Sequence, residues 1–131
     1  TLMRSSAASD VYKRQDDGDL EASRQIIRQM YANREAFLLL LTKSQGSRFE
    51  NCLDEVVDIS EQQYRRLCDM VTNATGRPRV DDYMTHWMAH IMVDTFVHLF
   101  LHETEERVAL KHVDALTMYL VRGWMGIMTE S

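Results

Sequence analysis

Six residues between positions 82 and 102 recur at every fourth place: Asp82, His86, His90, Asp94, His98 and His102. Positions i and i+4 share a helix face, so His86, His90 and Asp94 form a candidate ligand set for a divalent ion. Imidazole and carboxylate donors suit zinc, nickel or iron. Helical arithmetic limits the idea, because each i+4 step drifts about 40° around the axis and six residues cannot converge on one ion. No Cys or Glu at ligand spacing completes the set. The competing reading is a polar stripe facing solvent or a second subunit, and no metal or other cofactor is expected. The same drift turns His98 toward the sector of Trp87 and Ile91. It is therefore the histidine expected to be buried, with a core or interface partner.

A second row on the same stretch is apolar: Met84, Met88 and Met92 lie beside Trp87, Ile91 and Phe96. Methionine adapts to irregular shapes and recurs on surfaces that bind varied apolar molecules. The row can line a pocket or fill a core. Trp87, Met88, Ile91 and Met92 are candidates for one wall, with Phe37, Leu41, Phe49 and Tyr64 for the opposite one. Tyr64 and His90 are candidates for polar groups at the edge. Catalytic signatures are missing. There is no Gly-rich phosphate loop, no Gly-x-Ser-x-Gly elbow and no His-Glu-x-x-His pair, so enzyme function is not expected.

The elements that must position these residues read as helices. The chain has 131 residues with nine Met, one Pro and five Gly, and no alternating strand-like runs. This predicts an all-α fold, an antiparallel bundle of about five helices. A first helix is expected to open at Asp16-Asp17-Gly18-Asp19 and to turn Ile26, Ile27, Met30 and Tyr31 inward. Asn33 is a plausible cap for a short helix from Arg34 to about Ser44. Leu38 to Leu41 make that helix apolar all round, so it is expected to be enclosed. Ser47-Arg48-Phe49-Glu50 reads as a capping box opening a long third helix that ends near Asn73. Thr75-Gly76-Arg77-Pro78 is the clearest break. A fourth helix is expected from about Val80 to His102 and a fifth from about Glu105 to Met128. Short connections predict that successive helices are antiparallel neighbours.

Net charge is −5, of which residues 1–15 contribute +2 and the rest −7. An acidic body is a poor non-specific ligand for nucleic acid. Cys52 and Cys68 lie on the expected third helix, roughly 24 Å apart at 1.5 Å per residue. A disulfide needs Cα atoms within about 7 Å, so buried free thiols in a reducing cytoplasm are expected. No apolar run of about 20 residues predicts a membrane span. The chain opens on Thr1, and residues 1–15 match no helical stripe. They are expected to be a non-native or disordered leader, with the folded domain occupying 16–131.

Ala115 to Met128 carries one charge, Arg122. A helix apolar nearly all round is covered on more than one side. A second copy of the chain is the simplest cover, with Phe96, Leu116, Leu120, Trp124 and Ile127 as its contact residues.

The order of features resembles a known family. Asn33-Arg34-Glu35-Ala36-Phe37-Leu38 is followed by Ser44-Gln45-Gly46-Ser47-Arg48-Phe49-Glu50-Asn51. Then come the Gly-Pro break, a helix bearing Met and His, and a terminal Gly123-Trp124 helix. From about Asp19 to Met128 this resembles the ligand-binding and dimerisation domain of TetR/AcrR-family transcriptional regulators. The resemblance implies a homodimer through the last two helices and a pocket for a small apolar effector. It implies DNA contact only through an N-terminal helix-turn-helix domain that this sequence does not display. A repressor mechanism follows, in which the effector alters the spacing of the DNA-reading halves. Two alternatives stand beside it: a metal-binding helical bundle using the histidine row, and a purely structural dimerisation module.

Overall fold

Five helices in chain order make up the computed structural model: α1 (Leu2–Ala32), α2 (Arg34–Thr42), α3 (Cys52–Thr75), α4 (Asp82–His102) and α5 (Glu106–Glu130). The backbone is described from residue 2 to 130 and the side chains from 17 to 129, and no strand occurs among the described residues. The fold is all-α. Among the described residues no helix is long and apolar enough to cross a membrane.

Two antiparallel pairs organise the bundle, α1 along α5 and α3 along α4, and the pairs meet mainly through α4 and α5. Successive contacts show the directions: Glu61 meets His86 and Arg65 meets Asp82 along α3 and α4, while Ile27 and Met30, late in α1, pack with Ala109 and Val113, early in α5. Arg24 on α1 grips Asp114 on α5 with two charge-assisted hydrogen bonds, Nε to Oδ1 at 2.9 Å and Nη2 to Oδ2 at 2.8 Å. Arg65 on α3 donates to Asp82 at the start of α4 (3.1 Å) and to Asp69 one turn along α3 (2.8 Å). The expectation of antiparallel neighbours holds for α3 with α4 and for α4 with α5. It fails for α2, which packs on the end of α1.

The core is split. At one end Ile27 and Met30 of α1 meet Leu99 and Phe100 of α4 and Ala109 and Val113 of α5. Phe100 is fully buried, with the Tyr31 ring edge-on at 5.2 Å. The Tyr31 hydroxyl donates to the Glu103 carbonyl at 2.6 Å, which satisfies it where the chain leaves α4. At the other end Cys68, Met88, Trp124 and Met128 pack together. Val57, Ala89 and Val93 seal the middle of the α3–α4 seam, where Ala89 lets the helices approach closely.

Local chemistry explains the connections. Gly76 closes α3 in the left-handed region (φ 71°), and its N–H donates to the Thr72 carbonyl at 2.8 Å. Only glycine adopts that conformation without a Cβ penalty. Asp81 caps α4, its carboxylate accepting the Met84 N–H at 2.9 Å.

Several expectations need correction. Helical backbone begins at Leu2, so residues 2–15 continue α1 and Asp16-Asp17-Gly18-Asp19 lie inside the helix, away from its dipole end. The short helix α2 is not enclosed. It has no buried residue, and Leu39 is 57% exposed. Phe37, Leu38 and Leu41 lean on the first core cluster and leave the rest to solvent. Asn33 does not cap α2 through its side chain; its amide donates back to the Gln29 carbonyl at 3.0 Å and closes α1. The capping box does not form. The Ser47 hydroxyl accepts the Phe49 N–H (3.1 Å) and donates to the Ser44 carbonyl (2.5 Å), making a local turn. Helix α3 therefore starts at Cys52. Cys68 is fully buried, whereas Cys52, at the first position of α3, is half-buried; both are free thiols.

Candidate functional site

Two apolar concavities flank one wall. The wall is made of Tyr64 from α3 with Leu120 and Trp124 from α5, which line both. It stands because Trp124 is wedged among Cys68, Met88 and Met128 and is 8% exposed.

The inner cleft lies where α1 and α3 fail to pack along each other, between the two end cores. Its volume is about 270 Å³. Ile26 of α1, Leu67 of α3, and Met92 and Phe96 of α4 supply apolar lining. Polar groups are few: Asp19 and Ser23 on α1, Gln63 and Tyr64 on α3, and Thr117 on α5. A concave apolar surface with a small number of convergent polar groups is the usual form of a small-molecule site. Burial pushes the Tyr64 hydroxyl up to about 12, and the negative charges of Asp19 and Cys68 push the same way. Tyr64 is thus a neutral hydroxyl over the working pH range, able to donate and accept.

The outer groove runs between α4 and α5 on the opposite side of the wall. It encloses about 700 Å³ and adds Trp87, Met88 and Ile91 from α4 and Met118, Tyr119, Gly123 and Ile127 from α5. Its rim is aromatic and wet: Trp87 is 44% and Tyr119 78% exposed. Large exposed aromatics around an apolar groove make a contiguous apolar patch of the kind found at interaction surfaces and ligand-binding grooves.

The structure divides the expected site residues between these places. Tyr64 lines both concavities. Met92 lines the inner cleft, and Phe96, expected at the dimer face, lies beside it. Trp87, Met88 and Ile91 line the outer groove instead, together with Leu120, Trp124 and Ile127 of the expected dimer set. Leu116 packs against the first core cluster. Phe37 and Leu41 also join that cluster and reach neither concavity. Phe49 sits in the α2–α3 loop, 46% exposed, with the Arg48 guanidinium 4.6 Å from its ring centre. A pocket walled by the short helix is therefore replaced by one walled by α1. Sequence reasoning missed Asp19, Ser23, Gln63 and Thr117. The signal for Ser23 and Thr117 was the polar break each makes in an otherwise apolar inward stripe; Asp19 and Gln63 gave none.

The histidine row does not converge. Among the described residues no group of three or more His, Cys, Asp or Glu could hold a metal ion. His86 pairs with the Glu61 carboxylate of α3 at 2.9 Å, and the half-buried His90 meets the His86 ring edge-on at 4.7 Å. Asp94 is exposed, as is His98, which stacks on His102 at 3.9 Å; the expected burial of His98 is not found.

No protein-family model, no curated protein and no solved structure matches this chain.

Proposed function

We propose that this chain is the effector-sensing and dimerisation domain of a TetR-like transcriptional regulator. It works as a homodimer, takes a small apolar molecule in the inner cleft, and reaches DNA through a helix-turn-helix domain outside this sequence. One observation carries the reading: the inner cleft and the outer groove share the wall of Tyr64, Leu120 and Trp124. A molecule entering the cleft presses on α5 from within, and a second subunit seated on the groove feels the same helix from outside. In a dimer that bridges two operator half-sites about 34 Å apart, a small change in that seat misaligns the reading heads. The acidic body supports a role in sensing rather than in direct contact with DNA.

The test is a melting-temperature screen against small apolar compounds. A ligand that binds only the native state stabilises it by RT ln(1 + [L]/Kd), about 2.7 kcal/mol at a hundredfold excess over Kd. Shifts should appear for compounds sized to the cleft, and Phe96→Ala should change them more than Trp87→Ala. A screen without any shift would remove the sensor reading and leave a structural dimerisation module.

A further inference from the structure

The histidine row fails as a three-donor set, yet its last two members form a pair. His98 and His102 are both exposed, one turn apart near the end of α4. Their rings stack, with centres 3.9 Å apart and planes 25° from parallel. His102 Nδ1 lies 2.9 Å from the His98 carbonyl. A carbonyl only accepts, so Nδ1 carries the proton and Nε2 of the neutral ring keeps its lone pair. Metal-bound imidazoles characteristically donate their other N–H in this way, which fixes the tautomer and the ring. The earlier pair of the row is arranged differently. His86 is held across the seam by Glu61 at 2.9 Å, and its ring stands 76° from that of the half-buried His90, with centres 4.7 Å apart.

We propose that His98 and His102 chelate a divalent transition-metal ion of the nickel, copper and zinc class, with water in the remaining positions. Imidazole nitrogen suits those ions, whereas magnesium and calcium take oxygen donors. Two bonds of about 2.0–2.1 Å place the ligating nitrogens about 3 Å apart. Near-parallel rings one turn apart on a helix reach that spacing by small rotations of two exposed side chains, without disturbing the core. The pair sits in the last turn of α4, where the helix dipole favours a cation. Glu103, Glu105 and Glu106 follow within four residues of His102 and add negative charge at the same end. Neither histidine lines the inner cleft or the outer groove, so the metal site does not rest on the ligand-sensing reading.

The test titrates nickel chloride calorimetrically into the full chain, free of any histidine tag. One ion per chain should bind, and magnesium chloride should give no comparable heat. His98→Ala and His102→Ala should each weaken nickel binding about tenfold or more, because either leaves a single imidazole. Both changes fall on exposed side chains, and an unchanged far-ultraviolet circular dichroism spectrum checks that the helices persist. His90→Ala should leave the affinity as it is. Nickel binding that survives both changes, or that falls in only one of them, overturns the chelate. Loss of binding in His90→Ala moves the metal to the earlier pair and overturns it too, as does the absence of any nickel binding at millimolar concentration.

Discussion

Tyr64 is the residue on which the site turns, since it touches both concavities and the buried cluster around Cys68. Its raised value, about 12, means that the folded state holds the phenol proton more tightly than the unfolded chain, whose ordinary value is near 10. The stability this contributes is fully present below pH ~10 and is lost as pH rises toward the folded value. In a spectrophotometric titration, the phenolate signal that disappears in Tyr64→Phe should belong to a step near pH 12. A missing step at the ordinary value near 10 would mean that the hydroxyl is solvated. Tyr64 was legible in the sequence because it lies on the apolar stripe of α3 while bearing a polar tip. Asp19 was not. An acid beside Asp17 reads as a helix-opening charge, and its position inside α1 depends on where that helix starts, which no local motif marks.

At the scale of elements, α4 and α5 were legible almost to the residue. A glycine with positive φ, a proline and an aspartate cap bracket the α3–α4 turn, and those signals are local. The short helix α2 was misjudged because four consecutive leucines do not say which neighbour will cover them. It sits at the edge of the bundle, and its exposed leucine should matter little. Leu39→Ala should change stability by within about 0.5 kcal/mol, whereas Phe100→Ala in the end core should cost about 3–5 kcal/mol. Equal losses in urea unfolding would contradict this division between edge and core. The α3–α4 pair carries its own pH signature. The hydrogen bond from Arg65 holds the Asp69 carboxyl below the usual carboxylate range, against the opposing effect of burial, and the charges of Arg65 and Arg79 help. A depressed folded value contributes stability above the unfolded value of about 3.9, and that stability is lost as pH falls through the folded value. Asp69→Asn should thus lower the urea midpoint at neutral pH, and the gap to the parent should close in acid. A gap constant with pH would show that the ion pair contributes nothing through charge.

The whole molecule is two antiparallel helical pairs that join firmly at the ends and leave a cleft on one side and a groove on the other. The near absence of charge from Ala115 to Met128 led to the expectation of a helix covered on two sides. One side is covered within the chain, where Val121, Trp124 and Met128 are buried, while Tyr119 stands 78% exposed and Trp87 44% exposed along the outer groove. A two-fold pairing of this face would bury the same aromatic patch from both subunits, as an isologous interface requires. Interfaces of that kind draw most of their affinity from a few central aromatic residues. The most direct measurement is sedimentation equilibrium of the unmodified chain at micromolar concentration, run beside Tyr119→Asp, a change on an exposed side chain that leaves both end cores intact. The account predicts about twice the 15.3 kDa chain mass for the parent and a folded monomer for the variant. A parent that sediments as a well-behaved monomer, or a variant that remains a dimer of undiminished affinity, would contradict it.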